Sequence, residues 1–258
     1  MKKQLCLSSA LIISAGILGG CGSFGKSIKD IDDLEGKKVA AQLDTTAFTY
    51  ASDLKSVEVK GYNVSVDMFS ALNKSIVDAV VIDEATAEEY IERNNTFRLL
   101  DDKLSDEAYS IAFNKNNAEL GQELNHAITM LKSNGVFDEI ASHWIGEKAD
   151  KVSYVPDETI QRDGEITVYT NAVYPPYESI TDEGIVGIDI DVIMAVGDFL
   201  GKNVIVKNKS FSEIFDYVEN EENSIGIAAI TPTAEREEQV DFTDSYIVSK
   251  QVVVVKDK

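Results

Sequence analysis

The residues of this 258-residue chain best suited to chemistry stand at the ends of short apolar runs. Lys38 to Leu43 leads into Asp44-Thr45-Thr46, and Asp78 to Ile82 leads into Asp83. Ile225 to Ile230 leads into Thr231-Pro232-Thr233, with Arg236 one turn later. A guanidinium fork matches a carboxylate bidentately, hydroxyls add donors, and a carboxylate such as Asp83 complements an ammonium. That set is the complement of an α-amino acid. Each residue also has a plainer role open to it. Asp83 and Thr46 fit helix N-caps, and Arg236 stands among Glu235, Glu237 and Glu238 as one member of a charge cluster. His126 and His143 lie on helical stretches with no second ligand at metal spacing, so no metal or cofactor is implied.

The elements that must position these residues alternate. The pattern predicts strands over 38–43, 78–82, 109–113, 166–170, 203–207, 225–230 and 251–255. It predicts helices over 64–74, 84–94, 118–133, 137–144 and 189–200. Alternating strands and helices favour largely parallel sheets covered on both faces, and such sheets bind ligands beyond the carboxyl ends of their strands. Residues 147–164 are polar and aperiodic, a surface linker. The final strand, Gln251 to Val255, carries four valines and has no partner following it in the chain.

The N-terminus sets the compartment. Lys2 and Lys3 precede an apolar run from Leu5 to Leu18 that is too short to span a bilayer comfortably. It ends in Leu18-Gly19-Gly20-Cys21, which resembles a bacterial lipobox. Cleavage before Cys21 would remove Cys6 and commit the Cys21 sulfur to lipid, so the mature chain would have no thiol left for a disulfide. The net charge is −21, two units more negative once Lys2 and Lys3 are lost. A surface so acidic repels nucleic acid.

Longer stretches carry a resemblance. They are Ile166-Thr-Val-Tyr-Thr-Asn171-Ala-Val-Tyr174-Pro-Pro-Tyr177-Glu178, Gly187-Ile-Asp189-Ile-Asp191, and the run from Thr231 through Arg236 to Asp241-Phe242-Thr243. They resemble the first lobe of the amino-acid-binding proteins of polar-amino-acid ABC transporters, solute-binding protein family 3. Asp33 to Val39, Val77 to Asp83 and Asn134 to Gly146 are similar to that family's second lobe and closing helices. The resemblance implies a two-lobed α/β fold of the periplasmic-binding-protein type (type II). It implies that Arg236 and Thr231 grip the ligand's α-carboxylate, with Thr46 completing the grip from the other lobe, and that Asp83 pairs with the α-ammonium. Ala229 would touch the ligand through its backbone, Tyr174 and Phe211 would sandwich the side chain, and Asn171 would stand at its far end. Two positions depart from the family pattern: Asp44 replaces the usual Gly, and Asn171 replaces the acid common in binders of cationic amino acids.

The order of the lobes is inverted relative to the family, as in a circular permutant. The expected organisation is a signal peptide at 1–20, a tether at 21–27, one lobe at 28–104 and the other at 105–258, containing the linker 147–164. The implied protein is an extracytoplasmic, lipid-anchored monomer that performs no chemistry and delivers an amino acid to an ABC permease and ATPase. Two other readings share the pocket: a lipoprotein receptor for a membrane signalling partner, and an enzyme like cyclohexadienyl dehydratase. The second lacks a visible acid or base for the task.

Overall fold

A computed structural model of the protein describes residues 27–257. The expected signal peptide and Cys21, with the tether up to residue 26, lie outside these residues. After a 3-10 turn at Ile31–Leu34 the chain forms β1 (Lys38–Gln42), α1 (Thr46–Asp53), β2 (Glu58–Tyr62), α2 (Ser65–Asn73), β3 (Ala79–Asp83) and α3 (Glu84–Arg93). A long strand, β4 (Phe97–Tyr109), leads into β5 (Ala112–Phe113), α4 (Ala118–Ser133) and α5 (Val136–Trp144). Beyond residues 147–164 come β6 (Glu165–Thr170), β7 (Val173–Tyr174), β8 (Glu178–Thr181), β9 (Gly184–Val186) and α6 (Ile188–Leu200). The chain ends through β10 (Asn203–Asn208), α7 (Phe211–Asn220), β11 (Ser224–Gly226), α8 (Arg236–Gln239), β12 (Asp241–Phe242) and β13 (Ile247–Lys256).

Two five-stranded sheets define two lobes. One has the order β2-β1-β3-β13-β4 and the other β10-β6-β11-β5-β12. In each, three strands run parallel and the remaining two join antiparallel. The inner strands β1, β3 and β13 of the first sheet are covered on both faces, which explains why they read as apolar runs. Ala40, Val80, Ile82, Val252 and Val254 pack with Met68 and Leu72 of α2 on one face. Val39, Ala41, Val81, Val253 and Val255 pack with Ala47 and Ala51 of α1 on the other. The four terminal valines therefore serve both faces by simple alternation. In the second lobe, Val168 and Ile225 meet α4, α5 and α6, while Tyr169 and Ala112 meet Ile214, Phe215 and Val218 of α7.

The partner of the terminal strand lies far back in the chain. β13 inserts between β3 and β4, with Val255 opposite both Ala79 and Arg98. The division at 28–104 and 105–258 is corrected accordingly: Ile247–Lys256 belongs to the first sheet, because only there do both valine faces find cover. The chain crosses between lobes along β4, and β13 runs antiparallel beside it from Ile247 opposite Tyr109 to Lys256 opposite Phe97. Its end returns to the start of the described chain, where the Arg98 guanidinium donates to the Ile28 carbonyl and pairs with Asp257 at 3.6 Å.

Three local expectations also change. The strand predicted at 225–230 ends at Gly226, because Ala229 takes a positive φ of 46° and turns the chain out of the ladder. The strand predicted at 109–113 divides between the long crossing strand β4 and the short β5. Residues 147–164 form no helix or strand, yet they are pinned to the surface: Tyr154 Oη, the Asp157 N–H and Arg162 all donate to the carboxylate of Asp198 on α6.

Candidate functional site

A narrow cavity of about 20 Å³ lies between the lobes at the carboxyl ends of the parallel strands. From the first lobe it is lined by Gln42, Thr45, Thr46 and Ala47, just past β1. Asn171, Tyr174, Glu178, Phe211, Ala228, Ala229 and Arg236 line it from the second, and Tyr109 and Gln251 come from the two crossing strands. Of the eight residues expected at the site, Arg236, Thr46, Ala229, Tyr174, Phe211 and Asn171 meet in this one space. Thr231 and Asp83 are not among its lining residues.

Arg236 opens α8, held over the rings of Phe211 and Phe215 with its guanidinium carbon 5.1 and 5.2 Å from their centroids. Burial lowers its pKa to about 10, against the pull of Glu107, Glu235 and Asp44, so it remains charged at neutral pH. One guanidinium nitrogen donates to the Thr231 carbonyl at 2.6 Å and another crosses the cleft to the Asp44 carbonyl at 2.9 Å. Asp44, at the position expected to be Gly, takes φ 63°. Left-handed backbone is uncommon for residues with a Cβ, although Asp is among the few that tolerate it.

Glu107, on β4, was not anticipated. Its carboxylate is almost fully buried and accepts from the hydroxyls of Thr46, at 3.4 Å, and Thr231. Those are the two hydroxyls expected to hold a ligand carboxylate. The only signal in the sequence was an acid two residues before a buried tyrosine on a strand.

Asp83 caps α3 through the Ala85 N–H at 3.0 Å and also accepts from the hydroxyls of Tyr177, Tyr109 and Ser249. It is wholly buried, and burial raises its pKa despite these four donors. Tyr174 stacks on Tyr177, its centroid 6.1 Å away, and its hydroxyl accepts from the Asp83 N–H at 3.3 Å. Asn171 donates to the Lys209 carbonyl at 2.7 Å and accepts from Gln42 across the cleft at 3.2 Å.

At the cavity wall Glu178 shares a site with a second carboxyl, Asp189. Asp189 accepts from the Ala229 N–H at 2.7 Å and the Tyr246 hydroxyl at 2.8 Å, and it hydrogen-bonds Glu178. Gly187 makes this possible: a Cβ there would stand 2.2 Å from the Tyr177 carbonyl, so only glycine lets α6 start so close. Burial and the neighbouring Asp189 push Glu178 well above the usual carboxylate range, and burial raises Asp189 to about 6.

Two α/β lobes joined by crossing strands, with a polar cavity between them, give a two-lobed, periplasmic-binding-protein-like fold. Residues 166–258 match the model of the bacterial extracellular solute-binding proteins, family 3. The chain is similar to the arginine-binding extracellular protein ArtP of Bacillus subtilis, 30% identical over 34% of each chain. It is also similar to that organism's ABC transporter glutamine-binding protein GlnH, 30% identical over 48% of this chain and 46% of the relative. The chain thus spans a third to about half the length of these curated relatives. Among solved structures, the ligand-binding component of an ABC-type import system from Staphylococcus aureus, with zinc bound, covers 85% of this chain and 65% of its own at 11% identity and a TM-score of 0.46.

Proposed function

We propose that this protein captures a free L-amino acid in the cleft and presents it to an ABC importer from the outer side of the cytoplasmic membrane. The observation that carries the reading is the cleft itself: Arg236, held on two aromatic rings, faces Thr46 across the cavity. Closure works by bridging. Each lobe supplies part of the grip, so a ligand touching both stabilises the closed arrangement alone. The Arg236 bond to Asp44 and the Gln42 bond to Asn171 are cross-cleft contacts of that closed form.

Cys21 anchors the protein by lipid, a reading that rests on the lipobox-like sequence; mass spectrometry of the membrane-extracted protein would find diacylglycerol on that sulfur. The chain order is a circular permutation. Support comes from β13, which enters the first sheet from the second lobe and ends beside Ile28.

Calorimetry with the twenty L-amino acids and L-cystine tests the function. At least one should bind, and Arg236→Ala should weaken it by about 2–5 kcal/mol, the loss usual when one partner of a buried charge pair is removed. No binding by any of them, or full binding without Arg236, would refute the reading.

A further inference from the structure

Residues 147–164 are tied to the second lobe, yet one side chain among them reaches the first. The Lys151 N–H donates to the His143 carbonyl at 2.8 Å, and the Asp150 carboxylate beside it meets His143 Nδ1 at 2.6 Å. Lys151 takes φ 58°. Left-handed backbone is costly for a residue with a Cβ, and it persists where surrounding contacts impose it. The side chain lies back over the end of α5. Its ammonium donates to the Trp144 carbonyl at 2.7 Å and stands 5.9 Å from the centre of the indole. The indole is itself fixed, its Nε1 donating to Asp191 of α6 at 2.6 Å. The ammonium therefore moves with the second lobe.

One bond of that ammonium leaves the lobe. Lys151 Nζ donates to Glu89 Oε1 on α3, and the other Glu89 oxygen accepts from Arg93 one turn on at 3.0 Å. α3 packs against β3, β4 and β13 of the first sheet, so Glu89 moves with the first lobe. Its side chain is 11% exposed and that of Lys151 40%. Glu89, Trp144 and Lys151 do not line the interlobe cavity; with Pro175 and Pro176 they line a separate groove. The pair is made in the same arrangement as the Arg236 bond to Asp44 and the Gln42 bond to Asn171. Unlike those two, it uses no residue of the cavity.

We propose that Lys151 and Glu89 form an interlobe clasp outside the ligand cavity, which biases the empty protein toward the closed arrangement. An ion pair spans only about 4 Å, so rotation of the lobes about β4 and β13 separates its members. A ligand then meets a larger closed fraction, and its apparent affinity rises in proportion. The inference rests on the closure reading above, not on the identity of the ligand.

Small-angle scattering of the full mature chain, made without its lipid and free of ligand, measures the bias. Lys151→Met and Glu89→Gln, one in each lobe, should each raise the radius of gyration. The double variant should raise it no further than the larger single effect. Lys148→Met, which removes the same charge from the same linker outside the pair, should leave the radius unchanged. Calorimetry with the amino acid that wild type binds most tightly should show both clasp variants weakened roughly two- to fivefold, the range of a partly exposed ion pair. Should Lys151→Met fail to fold, Glu89→Gln decides. An unchanged radius in the folded variants, or an equal rise in Lys148→Met, would overturn the clasp while leaving amino-acid binding intact. If no amino acid binds wild type but the radii respond as expected, the ligand reading falls and the clasp stands.

Discussion

Replacing Glu178 by Gln should make the protein's stability less dependent on pH. Glu178 and Asp189 are buried together, and both carboxyls have raised pKa values, Asp189 to about 6 from a usual 3.8. A carboxyl whose pKa is raised on folding binds its proton more tightly in the native state. Its contribution is fully present below the unfolded value and is lost as pH rises through the folded one. For Asp189 the loss runs from about pH 4 to pH 6 and beyond. At about 1.4 kcal/mol per unit it amounts to roughly 3 kcal/mol. The amide introduced by Glu178→Gln can donate an N–H to Asp189 at any pH, so the shared proton is no longer needed. Ionised Asp189 would keep the Ala229 N–H and the Tyr246 hydroxyl as well. Urea unfolding at pH 5.0 and 7.5, at fixed ionic strength, measures the difference. Wild type should be more stable at pH 5.0, and the gap should narrow in Glu178→Gln by the part the raised Glu178 pKa contributes, leaving the share that burial of Asp189 supplies. General charge repulsion in this acidic chain also favours low pH, but the variant changes it by a single charge. An unchanged gap in Glu178→Gln would refute the shared-proton account.

Two further outcomes follow from β13. Val253→Ala and Val254→Ala, on opposite faces of the first sheet, should each cost about 2–3 kcal/mol in urea unfolding, transfer of two carbons plus the cavity left behind; a loss on one face only would mean the strand is not clamped between both layers. A chain reordered as residues 166–258 followed by 28–146 should fold and bind the same ligand by calorimetry, and a reordered chain that folds without binding would reject the permutation.

Much of the fold was legible because its signals are local. The helix at 118–133 was readable from Leu120, Leu124, Ile128 and Leu131, and the structure buries all four on one face. Others carried weaker signals. α1 mixes Phe48 and Tyr50 with threonines and alanines, and only Ala47 and Ala51 are buried. β2 is half exposed at the sheet edge, so its pattern shows no clean alternation. β4 runs through Asp101, Asp102 and Lys103, which read as loop, and its strand form comes from pairing with β13 more than 140 residues away. The cleft divides in the same way. Arg236 and Thr46 are marked by their places after strand ends. Gln42, Gln251 and Glu107 are ordinary polar residues until the lobes meet, and nothing near them in sequence says that they will face a cavity or one another.

The way the lobes are joined bears on how the site works. β4 is the covalent link along the crossing, and β13 lies beside it, entering from the second lobe and ending in the first sheet. Its hold on the first lobe is therefore packing and hydrogen bonding: four valines split over two faces, a ladder to β3, and Ser249 bonded to Asp83. Asp83 in turn accepts from Tyr109, the last residue of β4, and from Tyr177 of the second lobe. One buried carboxylate thus ties both crossing strands and both lobes at the base of the cleft. Its four donors make it a structural anchor of the crossing. Gln251 stands two residues along β13 from Ser249, with its oxygen still without a donor among the described residues. Gln251, in the cleft wall, thus lies on the same strand as Ser249 at the base of the cleft.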